Sequence, residues 1–114
     1  MEIKTEDYCV EYDPTLRTVT FAGRLRLAGA EDYAAIAQLL DDTVTQGLPL
    51  VVLNLQSLHS LNSSGMAMLS KFVIKVRQHK TIQIIVQGSK DIPWQGRSLK
   101  NLQRLMPDLQ LKLD

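Results

Sequence analysis

The segment richest in chemistry is Leu53-Asn54-Leu55-Gln56-Ser57-Leu58-His59-Ser60-Leu61-Asn62-Ser63-Ser64-Gly65-Met66, which sets two adjacent hydroxyls and a glycine where an apolar run gives way to a helical pattern. The free backbone amides and the positive dipole end of a helix start favour anions. A phosphate on Ser63 would add roughly −1.5 to −2 charges there without unfolding the helix. Such a modification acts on whatever docks over the helix rather than on the fold. A plainer role fits the same residues: Asn62 or Ser63 caps the helix by accepting an orphan amide, worth about 1 kcal/mol.

Little else in the chain is equipped for covalent chemistry. His59 and His79 lie on different elements, with no Cys or carboxylate at metal-ligand spacing. Gly-x-Ser-x-Gly is absent, and His59 would have to fold back along its own loop to activate a serine. Neither the dinucleotide Gly-x-Gly-x-x-Gly nor the phosphate-loop Gly-x-x-x-x-Gly-Lys-Ser/Thr occurs, and Gly88-Ser89-Lys90 reads as a turn. Cys9, the single cysteine, cannot form an internal disulfide and is expected to supply no metal cluster. In the strand-like Tyr8-Cys9-Val10 it reads as a small buried hydrophobe, in keeping with a reducing compartment. No catalytic residue, cofactor site or metal site is expected, and the chain reads as non-enzymatic.

With 114 residues, 45% of them hydrophobic, the chain suits one domain over residues 1–114 that needs no disulfide or metal to hold its core. That composition excludes disorder and disulfide scaffolds. The start, Met1-Glu2-Ile3-Lys4-Thr5-Glu6-Asp7, is too charged for a signal peptide, and no apolar run approaches membrane-spanning length. A cytoplasmic protein is expected. Net charge is only +1, yet nine acids fall in the first 42 residues, whereas Lys71, Lys75, Arg77, Lys80, Lys90, Arg97, Lys100 and Arg104 are opposed only by Asp91. The basic Lys71–Arg104 region is open to three readings: a nucleic-acid surface, the solvated faces of two helices, or a docking surface for an acidic protein. No nucleic-acid motif accompanies it, and Trp94 is its one candidate for aromatic stacking.

The elements that must position the serines follow from periodicity. Tyr8–Tyr12 and Thr18–Leu25 read as strands joined by the turn Asp13-Pro14-Thr15-Leu16-Arg17. The second alternates Val19, Phe21, Gly23 and Leu25 with Thr18, Thr20, Ala22 and Arg24. A helix follows Gly29, with Glu31 and Asp32 in its first turn, a stripe of Tyr33, Ile36, Leu40 and Val44, and Gly47 as its stop. Leu50–Leu55 reads as a central strand buried on both faces, and Gln56–Leu61 as a short loop. The next helix runs from the Ser63 region to about Gln78 on Met66, Leu69, Phe72, Val73 and Val76. Ile82, Ile84 and Val86 mark a strand. Gly88 and Pro93 interrupt the chain before a helix over Gln95–Met106 carrying Leu99, Leu102 and Leu105. Pro107 ends it, and Leu109, Leu111 and Leu113 alternate through a last strand. The order is a hairpin followed by βα units, a mostly parallel α/β sheet. Since only the Leu50–Leu55 strand is apolar on both faces, the helices are expected on one face, over a strand order that never reverses.

The strand-loop-Asn62-Ser63-Ser64-Gly65-Met66-helix segment resembles the strand-loop-Asp-Ser-Ser/Thr-Gly-Leu-helix signature of anti-sigma factor antagonists of the SpoIIAA type, the STAS domain. The resemblance runs from the opening hairpin to the last strand. Gly23-Arg24-Leu25 before a helix is similar to the family's Gly-Glu-Leu-Asp segment, and Leu50–Leu55 to the strand before its signature. It implies a STAS-like fold and a partner-switching protein. In that family a serine kinase that is also the anti-sigma factor phosphorylates the serine after the Asp, a PP2C-type phosphatase removes the phosphate, and only the dephospho form binds the kinase. Carried onto this chain, Ser63 is the acceptor, with Ser64 as the alternative.

Two departures bear on that reading. Asn62 stands where the family has Asp, which removes a charge beside the acceptor. Arg24 and Arg26 replace the Glu and Asp of Gly-Glu-Leu-Asp. Both should lie at the end of a strand neighbouring the one that feeds Ser63, either as counter-charges for a phosphoserine or as solvated residues. The expected partner surface is Asn62, Ser63, Ser64, Gly65, Met66 and Met68, with at least one methionine facing outward. Trp94 either closes the core under the last helix or anchors an interface.

Overall fold

In the computed structural model, which describes residues 1–47 and 49–114, six strands form one sheet in the order of the chain. They are β1 (Glu2–Lys4), β2 (Tyr8–Asp13), β3 (Thr18–Leu25), β4 (Leu50–Leu61), β5 (Gln83–Gly88) and β6 (Gln110–Leu113). β1, β2 and β3 pair antiparallel, whereas β4, β5 and β6 each join parallel to the strand before. The parallel connections carry α1 (Gly29–Asp32) and α2 (Ala34–Thr45), then α3 (Ser63–Gln78), then α4 (Pro93–Ser98) and α5 (Lys100–Leu105). Because the order never reverses, right-handed crossovers place these helices on one face.

The two faces of the sheet differ as the alternation in the sequence predicts. Val19, Leu53 and Val86 align across β3, β4 and β5, and all three are fully buried under the helices. Ile36, Leu39 and Leu40 of α2 and Leu69, Phe72, Val73 and Val76 of α3 close this layer. On the opposite face the row Glu11, Thr20, Asn54, Gln87 and Lys112 crosses five strands and meets water. Val52 is the exception there, kept from water between Thr18 and Ile85. Among the described residues, no helix is long and apolar enough to cross a membrane.

Several elements depart from their expected bounds. β1 is too short for periodicity to reveal, and it forms because Ile3 aligns with Val10 on the covered face. Cys9 is half-buried on the open face rather than in the core. The helix expected after Gly29 is two segments meeting at Tyr33, and the one expected over Gln95–Met106 is two meeting at Leu99. Pro93 opens α4 instead of preceding it, since a first-turn residue needs no amide donor. Met106 is buried where Leu105 was expected to be.

The largest correction is Gln56–Leu61, which is strand and not loop: β4 continues to Leu61 beside β3. Two irregularities disguise it. Between Thr20 and Ala22 of β3, β4 spends three steps, Asn54 to Ser57, and between Gly23 and Arg24 it spends two, Leu58 to Ser60. Each bulge adds one residue, so the inward apolar residues fall at Leu55, Leu58 and Leu61, a spacing of three that matches no strand template.

On its other side β4 is paired with β5 only from Leu50 to Asn54, and helix α4 takes over beyond that. Gln95, fully buried, donates through Nε2 to the carbonyls of Leu55 (2.6 Å) and Leu58 (3.0 Å) and accepts the Ser89 amide at 2.7 Å. The Trp94 indole donates to the His59 carbonyl at 3.0 Å. Two side chains thus replace a strand partner. Gln95→Leu takes the side-chain partner from the Leu55 carbonyl and the Ser89 amide and leaves the Leu58 carbonyl only the longer Trp94 contact at 3.3 Å. It is expected to lower the unfolding free energy in a urea titration by about 3 kcal/mol, whereas wild-type stability would show that β4 needs no such support.

Candidate functional site

The serine loop is built by β4 delivering Asn62 to the start of α3. Asn62 has extended backbone (φ −87°, ψ 177°), and its Oδ1 accepts the Gly65 amide at 2.9 Å, which makes it the N-cap. The same oxygen accepts the Tyr33 hydroxyl at 2.6 Å, and the Nδ2 group donates to the Leu27 carbonyl at 2.7 Å. The Asn62 backbone amide donates to the Leu25 carbonyl at 3.3 Å. Leu27 in turn donates its amide to the Tyr33 hydroxyl at 3.3 Å. One amide side chain therefore ties the end of β3, the α1–α2 joint and the start of α3 together.

This network accounts for the departure at position 62. Asn62 faces two donors with one atom and an acceptor with the other, a demand that a primary amide meets and a carboxylate does not. An aspartate there would set a carboxylate oxygen against the Leu27 carbonyl. Gly65 is specified by the same packing: a Cβ at this position would lie 2.4 Å from Leu61 Cδ1 and 2.6 Å from the Tyr33 hydroxyl. Its role is to let Tyr33 close on the first turn of α3. Tyr33 is 1% exposed, and burial pushes its phenol above the ordinary value, outweighing the Leu27 amide that lowers it.

Because Asn62 makes the cap, the serines do not. Ser63 is exposed at the first position of α3, Ser64 is half-buried, and neither hydroxyl has a hydrogen-bond partner within the chain among the described residues. The other residues singled out from the sequence fall around them unevenly. Asn62 and Gly65 serve the internal network, Met68 is 7% exposed, and Met66 is half-buried against the core. Arg24 aligns with Ser60 in the β3–β4 register, and Arg26 Nη1 donates to Ser60 Oγ at 3.0 Å. Both arginines thus stand at the strand ends that lead into the loop, as their position in the sequence predicts.

Sequence reading missed Tyr33 as a site residue, because a tyrosine at helical spacing is indistinguishable from a core residue until its hydroxyl is placed. It also missed a groove of about 260 Å³ between α1–α2 and α3, which begins at Ser64 and is floored by Ala37, Ala67, Met68 and Phe72. Lys71 and Lys75 edge it, and Lys75 pairs with Asp41 of α2 at 2.8 Å. Elsewhere, antiparallel pairing gathers Glu2, Cys9 and Glu11, with donor atoms within 4.8 Å of one another. Linear spacing hid this cluster. Burial and both carboxylates raise the thiol's pKa, which disfavours the thiolate as a nucleophile or metal ligand.

No protein-family model and no curated protein matches this sequence. Solved structures do match its fold. Over 99% of this chain and 97% of the other, it superposes on a chain of the crystal structure of diguanylate cyclase SiaD in complex with its activator SiaC from Pseudomonas aeruginosa, with TM-score 0.73 and 10% identity. It also superposes on SiaC of Pseudomonas aeruginosa with TM-score 0.64 and 12% identity, over 99% of this chain and 93% of that one. At such identities the likeness is one of fold. Together with the element order, it establishes the STAS-like α/β architecture that the serine-loop resemblance implies.

The junction yields two stability measurements. Asn62→Asp is expected to cost about 1–2 kcal/mol at neutral pH, and unchanged stability would show that the Leu27 contact carries no weight. Tyr33→Phe should cost a similar amount at pH 7, since Asn62 Oδ1 loses a donor. The raised native pKa of Tyr33 means that its contribution is complete below the unfolded value, about 10, and declines as pH rises through the folded one. The gap between wild type and Tyr33→Phe should therefore narrow above pH ~10; a gap constant with pH would contradict this.

Proposed function

We propose that this chain is a non-catalytic regulatory protein that binds a protein partner over the start of α3, and that reversible phosphorylation of Ser63 releases that partner. The observation that carries the reading is the Ser63 hydroxyl, exposed at the first position of a 16-residue helix and free of the capping duty that Asn62 performs. A phosphate there meets unpaired helix amides and leaves the Asn62–Tyr33 junction in place. Arg24 and Arg26 supply charge for a phosphate to pair with. The partner surface is Ser63, Ser64 and Met66, with Asn62, Gly65 and Met68 supporting it from beneath.

Two likenesses bear on the partners. The serine-loop resemblance points to a serine kinase of the anti-sigma factor type and an opposing PP2C-type phosphatase. The structural likeness points to an enzyme that this chain activates by binding, as SiaC is the activator of the diguanylate cyclase SiaD. Either kind of partner would be released in the same way: a dianion introduced into a docked interface costs several kcal/mol when nothing on the partner neutralises it, enough to empty the complex.

A second reading, a constitutive binding module on the same fold, is favoured by Asn62, which stands where the resembled family has the Asp beside its acceptor. Peptide mass spectrometry on protein from its native cells separates the two, with phosphate on Ser63 or Ser64 expected. In a partner-binding assay Ser63→Asp should weaken the complex at least ~10-fold more than Ser63→Ala. Absence of phosphate, together with equal behaviour of the two variants, would leave the constitutive module.

A further inference from the structure

We infer that the groove between α1–α2 and α3 receives an amphipathic helix of the protein partner, whose apolar side enters the groove and whose carboxylates meet Lys71 and Lys75. Shape comes first. The groove runs beside Ala30 to Asp41 on one wall and Ser64 to Lys75 on the other. The α3 wall is about 16 Å long at 1.5 Å per residue, roughly three helical turns. The walls are pinned at one end by the Tyr33–Asn62 hydrogen bond and at the other by the Asp41–Lys75 pair. Ala37 and Ala67 keep the floor low enough for a third helix to approach both walls, and Met68 and Phe72 give it apolar contact.

Charge then chooses the occupant. Lys71 lies midway along the rim and makes no ion pair among the described residues. Lys75 and Asp41 remain 50% and 32% exposed, so their pair is a surface contact that exchanges readily for one with an incoming carboxylate. A helix bearing glutamates along the flank facing α3 fits this rim, and a lysine-bearing helix does not. The position of Ser63 agrees with that sign. It lies next to Ser64, where the groove begins, and a phosphate there repels an acidic helix where it would attract a basic one. This last point rests on the switching reading above; the shape and the rim charges do not.

The test uses two blocked peptides of about 15 residues, each with leucines at helical spacing, one carrying glutamates on the flank and the other lysines in their place. Backbone amide NMR shifts of the full chain report where each binds. The glutamate peptide should move Ala37, Ala67 and Met68, and should lose at least ~10-fold in affinity on Lys71→Glu. Ala67→Gln, an exposed helix-compatible substitution that fills the groove, should lose a comparable factor. Equal binding of the two peptides, shifts outside the groove, no saturable shift, or insensitivity to both substitutions would each overturn the inference. The switch is read separately. If Ser63→Asp weakens the native partner complex while the peptide misses the groove, the switch stands and the groove falls. If the peptide fills the groove while Ser63→Asp leaves that complex intact, the reverse holds.

Discussion

The hydrogen bonds of Asn62 are the constraint on which the site depends. Its side chain accepts from Gly65 and Tyr33 and donates to Leu27, so the Leu27–Tyr33 stretch meets the start of α3, 29 to 35 residues along the chain, on one amide. The Tyr33 ring is nearly inaccessible to water, and a buried hydroxyl or amide without a partner costs more than a satisfied one contributes. The junction is therefore held by what its loss would expose. A fully hydrogen-bonded junction also suits the proposed switch, in which charge added at Ser63 would alter docking while the fold beneath it stays put.

That junction is placed by the unusual length of β4. The strand outlasts its pairing with β5, and its second half is held by β3 on one side and by Trp94 and Gln95 on the other. Two bulges bend and twist it on the way to Asn62. Trp94, open from sequence to a core or an interface role, hydrogen-bonds to β4 while remaining half-exposed. The last helical unit thus serves the serine loop from a distance, by satisfying the carbonyls of the strand that delivers it.

The open face of the sheet and the helical face carry different chemistry. Threonine, asparagine and glutamine line the former, and burial together with Glu2 and Glu11 raises the pKa of the Cys9 thiol there. On the helical face, α3 presents hydroxyls at its start and lysines farther along, with a groove beside them. This polarity within one helix links the proposed switch to the proposed docking groove.

Much of the fold was legible in the chain because burial on one face of a sheet imposes a period of two, and helix packing a period near 3.6. Those periods identified the parallel α/β order, the one-sided helical layer and the unreversed strand order. The Asn62-Ser63-Ser64-Gly65 loop stood out because its residue types change where a strand pattern meets a helical one. What tertiary structure alone decided are the features with no local period. The bulges of β4 made a strand look like a loop, because each extra residue shifts the inward position by one. Gln95 looked like an ordinary polar residue until the fold carried it beneath unpaired carbonyls. Tyr33 looked like core until its hydroxyl met Asn62, 29 residues away. The groove exists only once α2 and α3 lie side by side. Sequence specifies what each residue can bond to, and the fold decides which of those bonds water is prevented from making.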